Sequence, residues 1–132
     1  MQKIIRVYRI QNADGHGPWH SQFNAFHAIW SAIYDANTIG YQGPAKDKLY
    51  KYIAHSDNYY FCCTSKRMLR FWFGHPEIIA FLHDNGYQIV EYDAPSEHVH
   101  MGKAGTQAVF LRKKSTRIKT SPISKLRSKQ KG

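Results

Sequence analysis

Three short stretches of this sequence carry side chains suited to holding a phosphate or a sugar hydroxyl. Arg9 ends the alternating stretch VYR, and its planar guanidinium can grip a phosphate or a ribose hydroxyl through paired hydrogen bonds. Thr64 and Ser65 supply hydroxyls where a predicted strand runs into a predicted helix, and Gln107 begins the last predicted strand. Each also has a simpler interpretation: Arg9 as an arginine paired with an acid or at the rim, Ser65 as a helix cap, and Gln107 as a strand end.

The stretch DGHGPWH, which follows Arg9 closely, bears on the same chemistry. Its glycines and Pro18 predict a tight return of the chain, which brings Trp19 over the end of the preceding strand. Trp19 then serves either as a lid over a ligand held by Arg9 or as a plain hydrophobic plug. The plug is the simpler interpretation, and the sequence leaves both open.

The histidines and cysteines favour no metal site. His98 and His100 are two apart on a predicted strand and would point the same way, as a zinc pair does, but no spacing nominates a third ligand. Cys62 and Cys63 are adjacent, which suits neither a disulfide scaffold nor the spacing of a chelating pair. We predict no metal and a reducing, intracellular setting.

The elements that must position these residues form a single α+β domain. The chain has 132 residues and 42% hydrophobic content, enough for one core. Periodicity, caps and turn residues predict strands at 3–11, 59–64, 87–94, 98–101 and 107–114, and helices at 23–36, 66–73 and 76–85, with a further short helix around 49–53. We place the domain at residues 1–114.

The positive charge is concentrated at the C-terminal end. The net charge is +10, yet residues 1–111 hold ten basic and nine acidic residues. The other nine cations are Arg112, Lys113, Lys114, Arg117, Lys119, Lys125, Arg127, Lys129 and Lys131. We predict a flexible, disordered basic tail at 115–132 that contacts nucleic acid or an acidic host protein surface. The tail has no aromatic residue, so base stacking is not expected of it.

Neither a signal peptide nor a membrane-spanning segment is indicated. The charged start MQKIIR has no long apolar stretch after it, and no other stretch approaches the length needed to span a bilayer. We therefore expect a soluble cytoplasmic protein with no membrane partner.

Taken in order, the three stretches resemble the core of the ADP-ribosyltransferase superfamily. In that family a first strand ends in Tyr-Arg or Tyr-His, as at Tyr8-Arg9, and a middle strand ends in aromatic-x-x-Ser/Thr before a helix, as in FCCTS. A late strand carries the catalytic glutamate, and Gln107 in TQAVF stands at the matching position. The resemblance covers about residues 4–112 in order and spacing.

The resemblance implies small split antiparallel sheets with flanking helices that hold NAD in the cleft between them. Arg9 would anchor the pyrophosphate or the nicotinamide ribose, Thr64 or Ser65 would hold Arg9 and the ribose, and Tyr8 or Trp19 would stack on nicotinamide. Gln107, the catalytic position, can make the hydrogen bond of a glutamate but lacks its charge. Activity therefore stays in question, unless Glu91, Asp93 or Glu97 supplies the carboxylate.

Two functions from different classes follow. The first is an NAD-dependent ADP-ribosyltransferase-like protein that modifies a host protein or nucleic acid. The second draws on the uneven charge distribution, on Gln107 standing where a carboxylate is expected, and on a likeness to small bacteriophage proteins with a tight DGHGP turn after the first strand. It is a non-enzymatic protein that binds nucleic acid, or a host nucleic-acid-processing or defence complex, in the host cytoplasm and inhibits it.

Overall fold

The elements of the chain confirm the predicted α+β class. A computed structural model describes residues 3–20, 25–35, 37–43, 46–49, 51–52 and 59–127. The strands are β1 (Ile4–Gln11), β2 (Tyr59–Cys62), β3 (Gln88–Pro95), β4 (Val99–Met101), β5 (Ala108–Leu111) and β6 (Thr116–Pro122). The helices are α1 (Ala25–Ile33), α2 (Lys66–Phe73) and α3 (Pro76–Asp84), and short 3-10 turns lie at Pro18–His20, Ile39–Tyr41, Ser96–His98, Arg112–Lys114 and Ile123–Leu126.

The strands form two small antiparallel sheets, as predicted. One sheet has the order β1-β3-β6 and the other β2-β5-β4. They meet where β1 passes the end of β2: Tyr8 and Cys63 exchange two backbone hydrogen bonds, each 2.8 Å long. This bridge joins the two sheets through the backbone.

The first sheet is covered on both faces, because strand side chains alternate between them. Val7, Val90, Tyr92 and Ala94 face the second sheet and pack with Phe110. Ile10 and Ile89 face the other way and belong to a core built with the three helices, which includes Leu69, Ile78, Leu82, Phe26 and Trp30. Arg9 shares the face of Val7, so its side chain lies between the sheets.

Local sequence signals place the helices well. The Ser65 hydroxyl accepts a hydrogen bond from the Met68 N–H and caps α2. Pro76 opens α3 after a cap by His75, and Gly86 ends it with φ +78°. Residues 23, 24 and 36 of the helix predicted at 23–36 lie outside the described residues, and so do residues 50 and 53 of the short helix predicted around 49–53.

The prediction of a disordered tail is wrong for residues 116–127. β6 pairs with β3 in the first sheet, and Ile123 and Leu126 are 1% and 2% exposed in the helix-side core. Every side chain of β6 is exposed except that of Ser121, so the strand is held by backbone hydrogen bonds that composition does not reveal. The sheet thus continues past residue 114, while residues 128–132 lie outside the described part.

Candidate functional site

A cleft of about 770 Å³ opens beside the bridge between the sheets. It is bounded by β1, the loop at 16–19, α1, β2 and α2, and its volume is within the range of small-molecule sites. Its walls are mainly aromatic, formed by Tyr8, Trp19, Trp30, Tyr41, Tyr59, Tyr60, Phe61, Trp72 and Phe73. Arg9 and Gln107 are among its polar lining residues.

Arg9 crosses the gap between the sheets. The side chain is only 6% exposed, yet its hydrogen bonds within the described residues all go to neutral acceptors. Nε donates to Oε1 of Gln11 (3.1 Å), Nη1 to the carbonyl of Phe61 (2.9 Å) and Nη2 to the carbonyl of Gly15 (3.3 Å). Because its partners are neutral, the buried charge keeps its positive potential, which an anion can neutralise.

Arg112 joins Arg9 from the end of β5. Its Nη1 donates to the same Gly15 carbonyl at 2.7 Å, and its Cζ lies 3.8 Å from the centre of the Tyr60 ring. The Arg9 Cζ is 5.0 Å from that ring. Burial and the Arg112 charge lower the pKa of Arg9 to about 10, so the Arg9 guanidinium stays charged at neutral pH. Within the described residues neither arginine has an ion pair with a carboxylate.

The DGHGP loop aims the shared carbonyl at the two arginines. The Asn12 side-chain oxygen accepts from the N–H groups of Asp14 and His16, each at 3.0 Å, and the Asn12 N–H donates to the His16 carbonyl at 2.9 Å. Gly15 closes this turn with φ +82°, a conformation that favours glycine. The loop therefore does more than connect two elements, because it supplies the carbonyl that binds both Arg9 and Arg112.

Gln107 is fixed by a buried carboxylate that the sequence did not nominate. Its Nε2 donates to the Gln42 carbonyl at 2.5 Å and to Oδ2 of Asp47 at 2.8 Å, which uses both amide hydrogens and leaves Oε1 as the remaining polar atom. Asp47 is fully buried, and its Oδ1 accepts from the Ala104 N–H at 2.6 Å. Asp47 thus orients Gln107 and does not line the cleft.

The carboxylates proposed as substitutes for the glutamate lie elsewhere. Glu91 and Asp93 pair with Arg6 at 3.2 and 2.5 Å. Arg6 and Arg9 are on opposite faces of β1 because side chains alternate along a strand. Glu97 is exposed in the turn before β4. Within the described residues, none of the three lines the cleft.

The structure brings together four of the six residues proposed for catalysis or cofactor binding. Tyr8, Arg9, Trp19 and Gln107 line one cleft. Thr64 and Ser65 are described but not among its lining residues, and the Ser65 hydroxyl is used as the cap of α2.

Trp19 packs as the hydrophobic plug that was one of its two interpretations. Its ring packs edge-on against Phe26 at 4.7 Å and Trp30 at 5.3 Å between ring centres, so it plugs the end of β1. It also lines the cleft. The Trp19 ring is therefore part of the packed core and part of the cleft wall, and its role as a lid stays a prediction.

The cysteines in the cleft wall are not activated. Burial raises the pKa of Cys63 to about 12 and that of Cys62 well above its usual value, so both stay protonated at neutral pH. His100 stacks on Tyr52 with 4.1 Å between ring centres. In the described ranges, no group of three His, Cys, Asp or Glu side chains is arranged to hold a metal, and no helix is long and apolar enough to cross a membrane.

The cations assigned to the tail separate into different surroundings. Arg112 lies beside the cleft, over the Tyr60 ring and bonded to the Gly15 carbonyl, and is not among the lining residues. Lys113, Lys114 and Arg117 are exposed elsewhere. Lys119, Lys125 and Arg127 line a second groove together with Lys66 and Arg70. Lys129 and Lys131 lie outside the described residues.

Sequence reasoning missed Tyr60, Asp47, and the place of Arg112 next to Arg9. A signal existed for Tyr60, because alternation in YYFC puts it on the same face as the buried Cys62. Arg112 and Asp47 reach the site through contacts between distant segments, for which a single sequence holds no local pattern.

Comparisons with known proteins place the chain in a family. A family model described as Bacteriophage T4 Y00F protein matches residues 1–124. No curated protein and no solved structure matches the chain. The match supports the phage origin, whereas none of these comparisons links the chain with ADP-ribosyltransferases.

Proposed function

The chain belongs to the Bacteriophage T4 Y00F protein family, and from that premise we propose that its cleft binds NAD and that ADP-ribose is transferred to a host protein or nucleic acid in the host cytoplasm. One observation carries the proposal. Two guanidiniums, Arg9 and Arg112, converge beside an aromatic-walled cleft, and within the described residues no carboxylate neutralises them. Such a site suits a ligand that has phosphates and flat rings.

Three parts of NAD have a matching group. The guanidiniums hold the pyrophosphate, since arginine forks bind phosphate oxygens in pairs. Trp19 and Tyr8 offer ring faces for nicotinamide, whereas Tyr60 is already stacked under the arginines. Gln107 directs Oε1 as an acceptor for a ribose hydroxyl, because Asp47 and Gln42 hold its amide hydrogens.

The same geometry predicts slow chemistry. Breaking the nicotinamide–ribose bond develops positive charge on the sugar, and nicotinamide leaves with the bonding electrons. An acceptor of the target molecule then attacks the exposed carbon. The Gln107 carbonyl offers a dipole to that cation where a glutamate would offer a full negative charge. Transfer is therefore expected to be weak compared with binding.

Calorimetric titration with NAD tests the binding step. Replacing Arg112 by Met removes one charged fork while keeping a long side chain, and we expect affinity to fall about 10- to 100-fold, as for the loss of a charge-assisted hydrogen bond. The exposed neighbour Lys113, changed to Met, is the matched control with the same change in charge. Absence of NAD binding in the unmodified chain would overturn the proposal, and so would equal loss in the two variants.

A second candidate is a phage protein that binds the nucleotide, or a nucleic acid end, without chemistry and so inhibits a host complex. The observation in its favour is that the carboxylate nearest Gln107, that of Asp47, is fully buried and already used. Transfer of labelled ADP-ribose from NAD to host extract separates the two. Label in protein or nucleic acid supports the transferase, and tight NAD binding without label supports the inhibitor.

An exchange of the two side chains sharpens that test. Gln107→Glu together with Asp47→Asn moves the carboxylate to the cleft and keeps an amide–carboxylate pair between the two positions. A transferase fold is expected to gain activity from this change. The Gln42 carbonyl loses its donor in the exchange, so thermal melts must show that the variant folds.

A further inference from the structure

A second cavity, of about 510 Å³, lies on the helix side of the first sheet and is strongly basic. Its floor is apolar and consists of Leu69, Ile89 and Leu126. Its polar walls come from three separate parts of the chain and consist of Lys66, Arg70, Glu91, Lys119, Ser121, Lys125 and Arg127. We call this cavity the basic groove.

The fold, not the sequence order, gathers these cations. Lys66 and Arg70 are four residues apart on α2 and therefore lie on one helix face. Lys119 is the cross-strand partner of Glu91, so its side chain leaves the sheet on the face covered by the helices. Lys125 and Arg127 follow from the turn whose residues Ile123 and Leu126 are buried.

The basic groove has a large excess of positive charge. Glu91 is its one carboxylate among the described lining residues, and Arg6 already pairs with it at 3.2 Å. None of the five lysines and arginines of the groove takes part in an ion pair within the described residues. The excess must be met by salt ions or by an anionic partner.

We propose that the basic groove binds the sugar–phosphate backbone of a nucleic acid without regard to its sequence. Repeating single charges along a polymer match cations spread over three elements, and displaced counterions drive such binding. No aromatic side chain lines the groove among the described residues, so it offers no stacking platform for bases. Backbone contacts position a nucleic acid but do not read it.

Nucleic-acid binding at the basic groove does not depend on NAD binding in the cleft. Leu69 of α2 lines both the cleft and the basic groove, so a strand held in the groove passes close to the nucleotide site. If the cleft transfers ADP-ribose, the groove identifies nucleic acid as the class of acceptor. If the cleft only binds, the groove still recruits the chain to nucleic acid.

Fluorescence anisotropy with labelled duplex DNA of mixed sequence, over a range of salt concentrations, tests the proposal. We compare Lys66→Gln/Arg70→Gln with Lys113→Gln/Lys114→Gln, two pairs that remove the same charge from inside and outside the groove. The groove pair is expected to reduce the slope of log affinity against log salt by about 0.9 for each lost contact. The control pair should change the slope much less, and a scrambled duplex should bind equally well.

Three results would overturn the proposal. Equal slope changes in both pairs would mean that total charge alone acts. An unchanged slope in the groove pair would place the contacts elsewhere. Polyglutamate that competes as well as DNA at equal charge would make the groove a general site for acidic surfaces. NAD affinity, measured on the same variants, is expected to stay constant, so failure of the groove and failure of the cleft are distinguishable.

Discussion

The cleft and the basic groove both attract anions, but they hold their cations in opposite ways. In the cleft, Arg9 is buried and its three donor nitrogens are tied to Gln11, Phe61 and Gly15. In the groove, Lys66, Arg70, Lys119, Lys125 and Arg127 are all exposed. A pre-ordered buried charge suits a small ligand of defined shape, whereas exposed flexible charges suit a polymer and are screened by salt.

The difference has a structural origin. The cleft lies where the two sheets diverge beside the Tyr8–Cys63 bridge. A few side chains, Arg9 among them, fill the space between the two backbones. The groove is built on the edge strand β6 and on the turn that follows it. β6 is held by backbone hydrogen bonds, and the turn is held by the buried side chains of Ile123 and Leu126. Its charged groups contribute little to folding, and substitutions there are expected to change binding with little change in stability.

Ending the chain after Lys114 is expected to have the largest effect, because it removes the strand and the turn that form one wall of the basic groove. The shorter chain loses β6 and the buried Ile123 and Leu126. Each of these side chains is worth about 1.5–3 kcal/mol of buried apolar surface, against a total stability of about 5–15 kcal/mol for a typical domain. Urea denaturation should show loss of the cooperative transition.

The matched control ends after Arg127 and retains β6 and both buried side chains. A truncation at Lys114 that unfolds with the same midpoint as this control would contradict the assignment of the segment to the core. The result also bears on function tests, because loss of activity on truncation at Lys114 reports unfolding and not the loss of nucleic-acid contacts.

This segment shows where sequence reasoning reached its limit. β1, α2 and α3 were predicted nearly to their ends because alternation, the Ser65 cap and Pro76 are local signals. β6 was missed because TRIKTSP presents charged and hydroxyl side chains to solvent, and its pairing with β3 uses backbone groups that every sequence has. Ile123 and Leu126 are spaced as one turn of helix, but two apolar residues among lysines and serines are a weak signal.

Replacing Gly102 by Ala is expected to disturb the cleft and spare the groove. An added Cβ would lie 1.9 Å from Oδ2 of Asp47, the atom that holds Gln107. Asp47 must move, which breaks its bonds to Gln107 and Ala104, and the cost of such overpacking is about 1–3 kcal/mol or more. Denaturation curves measure the loss, and NAD titration measures the effect on the cleft.

Gly43 provides the control, since it lines the cleft but has open space around its Cβ position and no positive φ. Gly43→Ala should leave stability nearly unchanged. DNA binding at the groove should survive in both variants. Equal stability of the Gly102 and Gly43 variants would show that Asp47 is not a fixed support of Gln107.

Replacing Tyr60 by Leu tests how the two arginines are held together, with a smaller expected effect. The Tyr60 ring lies under both guanidiniums, with Cζ distances of 5.0 Å for Arg9 and 3.8 Å for Arg112. Loss of the ring face should cost about 0.5–2 kcal/mol and weaken NAD binding. Tyr60→Phe keeps the ring, so it should behave like the unmodified chain. A loss shared by both variants would assign the effect to the hydroxyl instead.

The candidate site was only partly accessible to prediction for the same physical reason. Arg9 and Gln107 stood out as polar residues on otherwise apolar strand faces, a pattern that is local. Their partners Arg112 and Asp47 come from positions 103 and 60 residues away, and only the folded chain joins them. The Lys66 and Arg70 pair did have a local signal in its helical spacing, but the groove that gives it meaning depends on β6.

The smallest effect is expected from pH, and it should appear at the cleft side alone. His100 stacks on Tyr52 and lies beside Tyr59, a cleft residue, and its pKa is lowered below 6.5 by burial, by His98 and by Lys51. In the unfolded chain this histidine takes up a proton at higher pH than in the folded chain. Stability should therefore fall as pH drops from about 6.5 through the folded-state pKa, and be constant with respect to this group above 6.5.

Thermal melts between pH 5 and pH 8 measure this dependence, with His100→Phe as the variant that keeps a ring on Tyr52 but cannot titrate. The variant should lose part of the pH dependence below 6.5 and match the unmodified chain above it. No histidine lines the basic groove among the described residues, so DNA affinity at fixed salt should stay level from pH 6.5 to 8. An unchanged melting profile in the variant would mean that His100 takes up its proton as easily in the fold as in the unfolded chain. Its stacking on Tyr52 would then not shield the ring from water.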